Sequence, residues 1–151
     1  MKNIATDRTS LGYASAALFN FIFVLCVNAH EVWRPWLGGV LTDAFGQAVW
    51  AINLVLVVQI FGDLLLSVAH PLALQRFVEW LTWLALVLAA VVFSQVFPFE
   101  LARFGKLVPT VAHLALFAVV LATSLAVVVN FARFMQASRA DAPRRQNPLH
   151  T

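Results

Sequence analysis

Charged positions along the chain leave four long apolar intervals. Residues 9–30 lie between Arg8 and Glu31, 44–62 between Asp43 and Asp63, 80–99 between Glu79 and Glu100, and 107–132 between Lys106 and Arg133. Each charge is costly near the centre of a bilayer, and a spanning helix needs about 20 predominantly apolar residues. Letting the middle segments run slightly past their flanking charges predicts four spanning helices at 9–30, 44–66, 78–98 and 107–132. Runs such as "LALVLAAVVF" are continuous and do not alternate apolar with polar, which argues against a β-barrel. The predicted fold class is therefore all-α integral membrane, an up-and-down bundle of four transmembrane helices. One domain covers residues 1–134.

The connections fit this order. "EVWRPWLGGVLTDAFGQ", residues 31–47, is the longest, with Pro35 and the Gly38-Gly39 pair breaking regular structure. Its tryptophans, Trp33 and Trp36, suit a loop lying along the membrane interface. "AHPLALQR" at 69–76 is a tight turn in which Pro71 stops the second span, and "FPFELARFGK" at 97–106 joins the last two.

Composition strengthens the membrane reading. Of 151 residues, 62% are hydrophobic and 11% charged, where soluble domains carry roughly a quarter charged residues. Lys and Arg favour the cytoplasmic side of short loops. With both termini inside, Lys2, Arg8, Arg76, Arg133, Arg139, Arg144 and Arg145 are cytoplasmic, and only Arg34, Arg103 and Lys106 are outside. The size and this bias suggest a bacterial cytoplasmic (inner) membrane. Residues 135–151 form an Arg-rich tail, expected to be disordered, to retain the C-terminus and to be able to contact anionic lipid. No basic or aromatic module for nucleic acid is present. The stretch "VNA" at 27–29 resembles a signal-cleavage site, but the apolar run before it is long and interrupted by Asn20, which favours a retained first helix.

Polar residues within the spans carry the functional question. At about 100° per residue from Asn53, Gln59 falls near 240°, His70 near 260° and Asp63 near 280°, so one face of the second helix collects them. That face should look into the bundle. Asp63 lies near the predicted cytoplasmic boundary, where Arg8, Arg76 or Arg133 could pair with it. The alternative is a proton- or cation-coupling site of Asp63, Glu79 and Gln59. Asn20 shares a stripe with Gly12 and Ala16, a spacing that lets helices approach closely, and its amide is expected to bond to Asn53 at similar depth. His113 is expected to make an interhelical hydrogen bond.

Chemistry beyond the membrane has little support. Cys26 is the only cysteine, so neither an intrachain disulfide nor a cysteine-based metal cluster can form. A haem held by His30 and His113 requires an offset that straight helices do not provide, and no cofactor is predicted. His30, Glu31 and Asp43 could gather as a small acid-base or metal cluster, but nothing in the loop fixes their geometry. Phosphate loops and catalytic triads are absent from the sequence, which points away from an enzyme. The expected role is protein interaction, as an accessory subunit of a membrane complex or a homo-oligomer. The alternative is a small oligomeric proton- or ion-coupled transporter or channel using the polar face of the second helix. A haem- or quinone-linked subunit is a third reading.

Overall fold

The computed structural model describes residues 4–37, 39–69 and 71–146. The side chain of Arg8, and residues His70 and His150, fall outside what is described. Five helices are present: α1 (Ile4–Asn28), α2 (His30–Trp33), α3 (Phe45–Val68), α4 (Leu72–Val96) and α5 (Leu107–Gln146). Four of them, all except α2, are long and apolar enough to cross a membrane. Among the described residues there is no strand, only an isolated antiparallel bridge between Leu41 and Phe99.

Local chemistry sets the helix ends. Ala69 leaves α3 in an extended conformation (φ −138°, ψ 135°), two residues before Pro71. Pro71 then caps α4 at φ −66°, where its missing N–H costs nothing. A turn this short makes α3 and α4 antiparallel neighbours. At the other end of α4, Phe97 adopts a left-handed conformation (φ 39°). A cap of that kind normally takes glycine and costs a bulky residue about 1–3 kcal/mol. Its ring stacks on His113 with centroids 3.7 Å apart, which helps hold it there.

The helices form a row. α1 packs on α3, α3 on α4 and α4 on α5, and no comparable packing joins α5 back to α1. Within the apolar spans, 28% of α3 is buried, against 11% of α1, 11% of α4 and 6% of α5, so α3 is the central helix. Small residues permit this: Ala48 and Ala51 are fully buried, and Ala85 and Ala90 are buried on α4. The tightest approach is at Gly62, where an added methyl would overlap the side chain of Val78. Gly12, expected to admit a neighbouring helix, faces open space instead.

Two further expectations change. The final helix does not end near residue 132; it continues to Gln146, through the described part of the segment read as disordered. Asn130, Phe134 and Ala137 fall at i, i+4 and i+7, one helical stripe. Asn130 and Ala137 are buried, and Phe134 meets Phe77 of α4 at 5.5 Å. Arg133 lies on the exposed side, and arginine and alanine are good helix formers, so the charge does not terminate the helix. The long loop is also more ordered than its breakers suggested. It contains α2 and a 3-10 turn at Arg34–Leu37, then zips to the second loop through Thr42 N–H to Pro98 O (3.1 Å) and Glu100 N–H to Val40 O (2.8 Å).

Candidate functional site

The row of helices packs an apolar cluster toward one end and opens a polar cleft toward the other. Toward the loops, Val27, Phe45, Val49 and Leu56 form a buried cluster covered by Val24, Trp33, Leu41, Ile52 and Phe93. Toward the chain termini, α1, α3 and α4 part around a cleft of about 550 Å³. Tyr13 and Asn20 line it from α1, and Gln59, Asp63 and Leu66 from α3. On α4 the lining runs from Gln75 through Val78, Glu79, Thr82 and Trp83 to Leu86. At about 1.5 Å per residue that is a depth of about 16 Å, roughly half the thickness of a hydrocarbon core.

Three candidates from the sequence, Gln59, Asp63 and Glu79, converge on this cleft with Asn20. The partners differ from those expected. Asn20 donates its amide to Asp63 Oδ2 at 3.4 Å, a long hydrogen bond. Asn53 instead forms a reciprocal pair with Asn28, each amide donating to the other's oxygen at 3.0 Å. Arg76 does not pair with Asp63; its Nη1 holds Glu79 Oε2 at 2.7 Å, one turn along the same helix. Arg133 is exposed, and among the described residues neither it nor any other base forms an ion pair with Asp63.

The electrostatics of the cleft follow. Glu79 is neutralised locally by Arg76, whereas Asp63 has the Asn20 amide and, among the described residues, no cation. Tyr13, Gln75, Thr82 and Trp83 were not singled out from the sequence. The packing of α1 against α3 and of α3 against α4 is what brings them together.

At the loop end His30, Glu31 and Asp43 are arranged around Arg34 and not as an acid-base or metal cluster. Arg34 Nη1 binds Asp43 Oδ1 at 2.6 Å and Arg34 Nη2 lies 3.8 Å from Glu31 Oε2. His30 Nε2 lies 3.1 Å from Glu31 Oε1. A guanidinium thus occupies the place a metal ion would need, and among the described residues no group of three or more His, Cys, Asp or Glu could hold one. Among the described residues His113 makes no hydrogen bond to another helix. Its Nδ1 donates to the Pro109 carbonyl of α5 at 2.8 Å, and its ring lies flat on Phe97. His30 packs edge-on against Phe45, in the α1–α3 half of the row, so the two imidazoles do not face each other across a common iron position.

No protein-family model, curated protein or solved structure matches the chain. The class it defines is therefore structural: an all-helical protein with four helices able to cross a membrane and one polar cleft between three of them.

Proposed function

We propose that the chain is a small integral membrane protein of a bacterial cytoplasmic membrane, with both termini cytoplasmic. In this reading it works as an oligomer that moves a proton or cation by way of the Asp63 cleft. One observation carries the proposal: Asp63, without an ion-pair partner among the described residues, faces a cavity shared with Gln59, Asn20 and Tyr13, between helices long and apolar enough to cross a membrane. If those polar groups served only helix packing, they would be satisfied by one another. Gln59 has no hydrogen-bond partner among the described residues and the cleft is wide enough for a ligand. Oligomerisation follows from geometry, because a row of four helices encloses no pathway until a second copy or another protein completes it. Proton and cation flux in vesicles reconstituted with the purified protein tests the reading. Asp63→Asn should abolish the flux, and unchanged flux would end the transport role.

A second reading is the accessory subunit of a membrane complex, favoured by the apolar faces of the outer helices. Leu18, Phe19 and Phe21 on α1 and Leu114, Phe117 and Leu121 on α5 are all more than half exposed. The intact mass of the particle extracted from its own membrane in mild detergent decides between them. A different protein at fixed stoichiometry supports the subunit; copies of this chain alone support the transporter.

A further inference from the structure

We propose that the cleft takes an amphipathic organic monocation, its positive charge against Asp63 and its apolar body between Tyr13 and Trp83. This rests on the functional reading above and names the substrate class of the same site. Three features of the cleft select that chemistry.

Charge comes first. The Arg76–Glu79 pair, held at 2.7 Å, contributes no net charge, leaving Asp63 as the one uncompensated group among the described lining residues. A monovalent cation balances it; a dication or an anion does not. The second feature is size. About 550 Å³ lies within the range of roughly 300–1,000 Å³ that holds whole organic ligands. A bare metal ion would leave most of it empty and would lack ligands, since hard divalent ions take about six or more oxygens. The third is the wall. Leu66, Val78 and Leu86 supply aliphatic surface beside the two aromatic rings, and ring faces attract cations that carry little hydration. Gln59 adds a neutral acceptor on the same side of α3 as Asp63.

Tetraphenylphosphonium is the probe, titrated calorimetrically into the purified full-length protein in maltoside micelles, with tetraphenylborate as an anion of nearly the same shape. The cation should bind saturably and the anion should not. Asp63→Asn should weaken the cation by about tenfold or more, the loss expected for a charge-assisted contact. Trp83→Leu should weaken it several-fold. The charge-neutral double variant Arg34→Gln with Asp43→Asn, whose ion pair lies at the loop end and outside the cleft, should bind within about twofold of the parent.

Equal binding of cation and anion, which requires no variant and so no assumption about folding, would overturn the inference. Retention of full affinity by a folded Asp63→Asn protein would do the same. Phosphatidylethanolamine added to the micelles separates two sources of the charge: displacement of the probe supports a lipid ammonium as occupant, and an unchanged Kd supports a free cation. Asp63-dependent flux with no probe binding overturns this inference alone. Asp63-dependent probe binding with flux indifferent to Asp63 overturns the transport reading and leaves the site standing.

Discussion

Gly62 lies beside Asp63 on α3, packed against Val78 of α4, and Gly62→Ala measures how tightly the site is framed. The new Cβ would overlap Val78 Cγ1, while Val78 Cβ would stand 3.6 Å away, at ordinary contact distance. Valine in a helix is nearly confined to one rotamer, so the methyl cannot swing aside and the helices must separate. Overpacking of this kind costs about 1–3 kcal/mol. Alanine also gains about 1 kcal/mol over glycine as a helix former, so the net effect in the parent should be a loss of about 0–2 kcal/mol. In a Val78→Ala background the overlapping methyl is gone. There the same substitution should be neutral or stabilising by up to about 1 kcal/mol. The coupling between the two positions isolates the overlap, because the helix-propensity gain is common to both backgrounds. Unfolding of the four proteins by SDS in mixed micelles, followed by circular dichroism, gives the cycle. Equal effects of Gly62→Ala in both backgrounds would refute the close approach and, with it, the alignment of Asp63 with the α4 wall.

The Asn28–Asn53 pair makes two reciprocal bonds, each worth about 0.6 kcal/mol between membrane helices. Asn28→Leu and Asn53→Leu should therefore show a coupling near 1 kcal/mol in the same unfolding assay, and strict additivity would exclude the pair. Arg34→Gln removes the 2.6 Å contact to Asp43, whose side chain is 96% exposed. The loss should be under about 1 kcal/mol and should shrink in high salt; a salt-independent loss of several kcal/mol would mean that Arg34 has a buried role.

The four long apolar helices were legible in the sequence because charges interrupt apolar runs at nearly the spacing a bilayer requires. The polar face of the second span was legible too, since periodicity alone groups Gln59 and Asp63. What periodicity lacks is the register between helices. Centring each apolar window in the membrane sets Asn20 opposite Asn53. The observed contacts of Ser10 with Ser67, Asn20 with Asp63 and Asn28 with Asn53 set Asn20 opposite a residue ten positions further along. For antiparallel helices the three contacts correspond to slides of about 6–15 Å at 1.5 Å per residue, and the slide moves Asn20 from a packing role to the edge of the cleft. Arg76 went astray for a related reason. Its distance from Asp63 in sequence spans a turn, whereas Glu79 waits at i+3 on its own helix, where side chains meet without any tertiary requirement.

The same contacts divide the row into two leaves, with consequences for how a cation could pass. Hydrogen bonds at three depths fasten α1 to α3, through Ser10 to the Ser67 carbonyl, Asn20 to Asp63 and Asn28 to Asn53. Rings fasten α4 to α5, with Phe77 on Phe134 and Trp80 on Phe131, each at 5.5 Å. The cleft lies where the leaves meet, with Asp63 on one and Trp83 on the other. Beyond its closed end stands the apolar cluster of Phe45, Val49 and Leu56, with Phe93 of the second leaf against it. A charge leaving Asp63 toward the loops would have to cross that dry region, at the cost any ion pays in an apolar medium. Release on that side therefore requires the leaves to separate around Phe93, and separation there would draw on the loops, which the Leu41–Phe99 bridge joins across the same seam. A cation bound between Asp63 and Trp83 touches both leaves at once. Its binding energy depends on their spacing, and that dependence is the means by which occupancy of the cleft could bias the seam.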